Sequence, residues 1–193
     1  GYDAGEILDG TFSGIPIYAN LDYAVENAKK SGQIPTHMVI GIAPDGGCID
    51  DSILFALTKA IELNLHIDSG LHDFVSDIPE LKNLADRKSL TIRDIRKTPP
   101  RKELHSFTGK INQVTSIKIA VLGTDSAIGK RTTAWKIIEA LTQAGFSAEL
   151  IGTGQTAWMQ GAEYSLILDS LINDFVSGEI ENAVWNCWNE KKP

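Results

Sequence analysis

Short apolar runs alternate along the first part of the chain with stretches in which apolar side chains recur every three or four residues. Residues 37–42 form a nearly continuous apolar run, which is typical of a strand buried on both faces. Asp50 or Asp51 then caps a helix whose apolar side chains fall on one face. That face consists of Ile53, Leu54, Leu57, Ala60 and Ile61.

The same alternation continues on both sides of this strand and helix. Residues 15–18, 65–68 and 90–92 are predicted as strands, and further helices are predicted to begin at Leu21 and Pro79. Proline at the first position of a helix loses no hydrogen bond, because the first backbone N–H groups of a helix have no partner within it. Strands that alternate with helices predict an α/β fold.

This pattern breaks where a basic, proline-containing segment begins. Residues 93–102 contain five basic side chains, one acidic side chain and a pair of prolines, which is typical of a connection between domains. A solvated linker explains such a segment, and the alternative is that some of its cations face an anionic ligand in a cleft between domains. The predicted division is an N-terminal domain over 1–98, a linker over 99–116 and a second domain over 117–193.

The second domain repeats the alternation. Residues 117–122 are predicted as a strand, followed by a glycine-bounded loop and by a helix that ends at Gly145. A second strand is predicted over 148–151, and the spacing of apolar residues predicts a long amphipathic helix that includes 164–175.

Composition and charge narrow the possible partners. The chain has 18 basic and 25 acidic residues, a net charge of −7, which argues against a dedicated nucleic-acid-binding protein. The longest apolar runs, such as 53–57, are far shorter than a membrane span, and residues 1–10 lack the basic start of a secretory signal. Cys48 and Cys187 fit neither a disulfide framework nor a metal site. We therefore expect a cytoplasmic protein with no metal, membrane or nucleic-acid partner.

The strongest chemical signal is the loop between the 117–122 strand and the helix after it. Glycines let backbone N–H groups turn toward a phosphate chain, the helix N-terminus adds partial positive charge, and Lys130 adds a full charge. This arrangement is that of a P-loop, and it predicts phosphate binding. The predicted contacts are Gly123, Thr124, Asp125, Ser126, Ala127, Ile128, Gly129, Lys130, Arg131, Thr132 and Thr133.

The match to the standard P-loop pattern is imperfect in two ways. Five residues rather than four separate Gly123 from Gly129, and Arg131 follows the lysine where a Mg²⁺-binding hydroxyl normally stands. The loop therefore predicts binding of a phosphate chain more strongly than it predicts Mg²⁺-dependent hydrolysis. An ordinary turn between a strand and a helix is the alternative.

Several segments together resemble a known family. Residues 123–134 resemble the signature Gly-Thr-Asp-x-x-x-Gly-Lys-x-Thr-Thr-Ala of the D-glutamate N-acetyltransferase-like family. Residues 40–47, 69–72, 94–97 and 153–156 resemble further motifs of that family in the same order. Its members are two-domain bacterial proteins with a Rossmann-like N-terminal domain and a C-terminal P-loop domain. They are near twice as long, so the resemblance implies that only the N-terminal portion of the P-loop domain is present here.

The resemblance implies acetyl transfer from acetyl-CoA to the amine of D-glutamate, a small-molecule substrate. CoA carries a diphosphate that the loop could anchor without phosphoryl transfer, so the missing Mg²⁺ ligand matters less. His72 is the candidate base for the amine, because an imidazole accepts a proton near neutral pH. A packing histidine at the end of a strand is the alternative.

Substrate contacts are expected in three places. Loop 44–47 follows a buried strand, where open α/β sheets bind ligands, although a plain tight turn also explains its glycines. Basic side chains, among them Lys97 and Arg131, could pair with the carboxylates of glutamate, and polar side chains after the 148–151 strand could donate hydrogen bonds. The predicted substrate-binding residues are Pro44, Gly46, Gly47, Arg96, Gln155 and Thr156.

Two other functions stay open on the sequence. The Gly-Thr-Asp start of the loop is also similar to dethiobiotin synthetase, which would make the protein an ATP-using ligase or NTPase and ATP the cofactor instead of acetyl-CoA. Alternatively, the chain is a truncated, non-catalytic nucleotide-binding module. We expect a homo-oligomer, because a parallel sheet of about two strands leaves the second domain with little core.

Overall fold

The chain divides into two compact units, Gly1–Ile95 and Arg96–Pro193. A computed structural model describes residues 2–42, 44–125 and 127–193. No helix in these described ranges is both long enough and apolar enough to cross a bilayer. The predicted boundaries of the two domains and of the linker between them stay predictions.

In the described part of the first unit, strands and helices alternate as the sequence predicts. The strands are β1 (Tyr2–Asp3), β2 (Pro16–Ile17), β3 (His37–Ile40), β4 (His66–Ser69) and β5 (Ile92–Asp94). The helices are α1 (Ala4–Leu8), α2 (Leu21–Lys30), α3 (Asp51–Glu62) and α4 (Pro79–Arg87). Short 3-10 turns occupy Asp45–Gly47 and Val75–Asp77.

The strands of this unit form a parallel sheet and a separate antiparallel pair. The parallel sheet has the order β3-β4-β5, with His37 opposite His66 and Ile67 opposite Ile92. Strands β1 and β2 form the antiparallel pair. Parallel neighbours need a crossover between them, which α3 and α4 supply. The loops that follow β3 and β4 therefore lie at the same edge of the sheet, beyond its carboxyl ends.

Helix α3 begins directly after a capping aspartate, and one of its faces is buried in the hydrophobic core. The Asp50 carboxylate accepts a hydrogen bond from the backbone N–H of Ile53 at 2.8 Å, so Asp50 is the cap of α3. On the inward face, Leu57, Ala60 and Ile61 have no exposed surface. These side chains belong to a hydrophobic core that also includes residues of the parallel sheet. This core fixes the strands whose ends carry the candidate site.

The second unit contains three helices and two short strands in its described residues. The helices are α5 (Lys130–Gln143), α6 (Gln155–Met159) and α7 (Asn173–Lys191), and the strands are β6 (Ile151–Gly152) and β7 (Tyr164–Ser165). Strands β6 and β7 pair in parallel. Short 3-10 turns occupy Arg101–Glu103, Lys110–Gln113 and Leu168–Ser170.

The predicted strand over 117–122 does not form. None of these residues belongs to a strand, and Ile117 and Leu122 are 90% and 85% exposed. A strand needs hydrogen bonds from a neighbouring backbone, and among the described residues no strand pairs with this segment. The apolar pattern of the segment was therefore insufficient to predict its structure.

The predicted helix over 164–175 is also wrong. Tyr164 and Ser165 belong to β7, and α7 begins only at Asn173. Tyr164 and Leu166 are both buried, and they stand two residues apart, which is the period of a strand. Pairing with β6 therefore decided that Tyr164 and Ser165 form a strand, although the spacing of apolar residues in 164–175 predicts a helix.

Candidate functional site

The glycine-rich loop of the second unit leads directly into α5. Gly129 has a φ of 90° and immediately precedes the helix, and among the described residues of the loop no side chain caps the first turn. Ala127, in the same loop, has a φ of 54°, a left-handed conformation that costs a non-glycine residue free energy. The first N–H groups of a helix have no partner within it, and α5 is 14 residues long. The loop therefore ends at an uncapped helix N-terminus that can accept an anion.

Lys130 turns its side chain back into this loop. Its ammonium group donates a hydrogen bond to the backbone carbonyl of Asp125. The aliphatic part of the side chain lies against Gly123, where an added Cβ would stand 3.0 Å from Cδ of Lys130 and would collide with Ile128. The ammonium is therefore directed into the loop.

The side chains after Lys130 are accessible. Arg131, Thr132 and Thr133 are exposed in the first turn of α5, so they could contact a ligand held at the helix N-terminus. The predicted contact at Ser126 lies outside the described residues. Where the structure is described, no cluster of three or more His, Cys, Asp or Glu side chains could hold a metal ion.

A second group of predicted residues lies at the carboxyl edge of the parallel sheet in the first unit. Pro44 precedes the 3-10 turn that contains Gly46 and Gly47, and both glycines have a positive φ. The backbone N–H of His72 donates to the Gly47 carbonyl at 3.0 Å. An added Cβ at Gly47 would collide with the imidazole and would lie 2.9 Å from its Cγ. The structure thus brings Gly47 and His72, which stand 25 positions apart in the sequence, into direct contact.

Two carboxylates that we did not predict fasten the loops at this edge. Asp73 accepts a hydrogen bond from the backbone N–H of Ile49 at 2.9 Å. Asp94 accepts from the N–H groups of Val75 and Ser76 at 2.8 and 2.9 Å. Asp73 directly follows the motif 69–72 and Asp94 begins the motif 94–97, but their partners lie 18 to 24 residues away, so only these positions were available as a signal.

The remaining predicted substrate contacts lie in the second unit. Arg96 is buried, with 7% of its surface exposed, and its guanidinium pairs with Asp169. Gln155 and Thr156 are half-buried at the start of α6. Because Arg96 is buried and its charge is already balanced by Asp169, the structure favours a structural role for Arg96.

Two family models match nearly the whole chain. Residues 1–98 match the domain of unknown function DUF1611_N, a Rossmann-like domain. Residues 105–193 match the domain of unknown function DUF1611_C, a P-loop domain. The predicted family, the Rossmann-like N-terminal domain and the P-loop C-terminal domain are therefore confirmed.

Two curated relatives are both named D-glutamate N-acetyltransferase. One, from a Pseudoalteromonas species, is 29% identical over 144 residues, which is 75% of this chain and 42% of the relative. The other, from Tritonibacter scottomollicae, is 28% identical over 160 residues, which is 83% of this chain and 46% of the relative. The chain thus matches less than half the length of each.

A solved structure has a similar fold. It is the crystal structure of a DUF1611 family protein from Anabaena variabilis, with a TM-score of 0.79 and 29% sequence identity. The match covers 96% of this chain and 51% of that one.

Proposed function

This chain belongs to the DUF1611 family, and from that premise we propose that it binds acetyl-CoA at its glycine-rich loop and takes part in transferring the acetyl group to the amine of D-glutamate. The observation that carries the proposal is the inward-directed ammonium of Lys130 beside the uncapped N-terminus of α5. Such a site suits a diphosphate. The two relatives named D-glutamate N-acetyltransferase support the choice of reaction.

The residue after the lysine favours CoA over ATP as the phosphate ligand. Arg131 stands where the Mg²⁺-binding hydroxyl of a standard P-loop would be. Phosphoryl transfer normally needs that ion to neutralise charge on the transferred group. Anchoring the diphosphate of CoA needs only positive charge and N–H groups, which this loop and its arginine supply.

In the proposed reaction, the amine nitrogen of D-glutamate attacks the thioester carbonyl of acetyl-CoA. A C–N bond forms, the C–S bond breaks, and the proton lost by the nitrogen reaches the departing CoA thiolate by way of a base. His72 is the proposed base, because it is exposed at the carboxyl edge of the parallel sheet. Gln155, Thr156 and the exposed Arg131 are proposed to contact the substrate.

A cytoplasmic location is part of the same proposal. Cys48 and Cys187 are both unpaired, which is usual for proteins kept in a reducing compartment.

Ligand binding tests the loop directly. We expect acetyl-CoA and CoA to bind by calorimetry and to raise the melting temperature, and we expect Lys130→Ala to abolish both effects because it removes the ammonium. The matched control is Lys136→Ala, which removes the same charge from an exposed position on the same helix and should bind normally. Binding that survives in Lys130→Ala would contradict the proposed site.

The reaction is tested by following release of the CoA thiol. We expect release that depends on D-glutamate, exceeds that with L-glutamate, and is lost in His72→Gln. If the protein binds Mg-ATP, releases ADP and does not bind acetyl-CoA, the proposed function is wrong and the protein is an ATP-using ligase. If the protein binds CoA tightly but transfers no acetyl group, this chain is a nucleotide-binding module and the proposed acetyl transfer is refuted.

A further inference from the structure

Two loops at the carboxyl edge of the parallel sheet are fastened to each other. The backbone N–H groups of His72 and Asp73 both point at the Gly47 carbonyl, at 3.0 and 3.4 Å. In return, the Asp73 carboxylate accepts the backbone N–H of Ile49 at 2.9 Å. The first loop thus contributes an acceptor and a donor, and the second loop contributes the complementary groups.

The imidazole of His72 lies on the backbone of the first loop. Gly47 has a φ of 66°, and its Cα faces the ring so closely that an added Cβ would be 2.9 Å from Cγ and 3.1 Å from Cβ of His72. The ring therefore packs against the Gly47 backbone. A shift of residues 47–49 would remove this contact with the ring.

Asp73 is the side chain that holds residues 47–49, because its carboxylate accepts the backbone N–H of Ile49. Ile49 lies just beyond the glycine pair, so its N–H ties down the end of the loop that carries Gly47. A hydrogen bond with an ionised acceptor is stronger than a neutral one, and Asp73 is the residue directly after His72. The Asp73 carboxylate need not contact the ring in this scheme; it holds the loop of Gly47, against which the ring packs.

We propose that Asp73 is a positioning residue for His72, holding the Gly47 backbone under the imidazole so that the ring presents one fixed orientation to the substrate amine. This inference rests on the proposed function, in which His72 is the base. Displacement of a catalytic group by about 1 Å can cost about a hundredfold in rate, so we expect turnover to depend on the one side-chain hydrogen bond among the three that join the described residues of these loops.

The test compares Asp73→Ala with Asp73→Asn in the full chain. Alanine removes the acceptor for Ile49, whereas the asparagine side-chain oxygen can still accept that N–H. We expect Asp73→Ala to lower kcat about 10- to 100-fold with the KM for acetyl-CoA unchanged, and Asp73→Asn to recover most of the rate. Glu80→Ala removes one exposed carboxylate from the first turn of α4, outside the hydrogen bonds that join the two loops, and should behave as the wild type.

A second measurement does not depend on activity. Nuclear Overhauser contacts between the Gly47 α protons and the His72 ring should be present in the wild type and in Asp73→Asn, and lost in Asp73→Ala. Contacts that persist in Asp73→Ala would overturn the proposal, as would an equal loss of kcat in both variants with the contacts intact. If the wild type transfers no acetyl group, the proposed function fails, and the pattern of contacts still decides whether Asp73 positions the ring.

Discussion

At the scale of single residues, Asp3 shows how a buried carboxylate organises the chain around it. It is 5% exposed and accepts hydrogen bonds from the backbone N–H groups of Gly5, Glu6 and Ser13 and from the Ser13 hydroxyl. It therefore caps α1 and also fixes the loop that returns to β2. Burial raises the pKa of Asp3, but the hydrogen bonds from Ser13, Glu6 and Gly5 together lower it to about 2.

This pKa predicts how stability changes with pH. Because the pKa of Asp3 is lower in the folded chain than its ordinary value of 3.8, its contribution to stability is complete above that value and disappears as pH falls toward about 2. We expect urea unfolding to show the wild type more stable than Asp3→Asn near neutral pH, with the difference shrinking through this acid range. A difference that stayed constant down to the lowest pH would contradict the role of the ionised carboxylate.

At the scale of secondary-structure elements, α7 holds a segment that the sequence predicted to be a linker. Glu181 of α7 is 3% exposed and accepts hydrogen bonds from the backbone and hydroxyl of Thr108 and from the N–H of Ile111. Burial raises the pKa of Glu181, and these hydrogen bonds lower it further than burial raises it. One turn earlier, Gly178 lies directly beneath the His105 carbonyl. The segment over 105–111 is therefore packed along α7.

The contact at Gly178 reverses the usual effect of a helix substitution. Replacing glycine by alanine inside a helix ordinarily stabilises a protein by about 0.5–1 kcal/mol. At Gly178 the added methyl would collide with the His105 carbonyl and lie 2.6 Å from the carbonyl carbon of Ser106, so we expect Gly178→Ala to destabilise the second unit. The measurement is the free energy of unfolding in urea.

The matched control for this prediction stands one residue earlier on α7. Ser177 is exposed, so Ser177→Ala changes helix propensity without entering the contact and should leave stability unchanged or slightly raised. If Gly178→Ala proved as stable as Ser177→Ala, the close approach of the 105–111 segment to α7 would be disproved.

At the scale of the whole molecule, the two units differ in how much apolar surface they bury. The main core cluster consists of residues of the first unit, and Leu57 within it has no exposed surface. In the second unit, Leu122, Ile117 and Phe146 are 85%, 90% and 64% exposed, and α5 has no buried residue. Packing therefore stabilises the parallel sheet of the first unit more than it stabilises the surroundings of the glycine-rich loop.

Two leucine substitutions test this difference. We expect Leu57→Ala to cost about 2–5 kcal/mol, because it empties a site in the core. We expect Leu122→Ala to change stability by less than about 0.5 kcal/mol, because the side chain is already in solvent.

The readout can separate the two units. All four tryptophans lie in the second unit, so tryptophan fluorescence follows that unit, while circular dichroism follows both. Leu57→Ala should shift the dichroism transition. A large loss of stability in Leu122→Ala would show that this leucine is packed in solution.

The sequence by itself determined the features that depend on neighbours along the chain. Asp50 caps α3 through a residue three positions away, Pro79 begins α4, and the glycine-rich loop leads into α5 as its pattern predicts. These features follow from backbone sterics, from the N–H groups at the start of a helix that lack a partner within it, and from helical periodicity. All three act within one or two turns of the chain. Motifs in a consistent order also sufficed to identify the family.

Only the tertiary structure decided which distant groups became partners. The segment over 117–122 has a strand-like pattern, yet it lacks the neighbouring backbone that would make it a strand. The partners of Asp73 and Arg96 lie 24 and 73 residues away, and the contact of His72 with Gly47 depends on two loops meeting at one sheet edge. Such partners depend on how the elements pack, because the fold decides which donors and acceptors of distant segments meet.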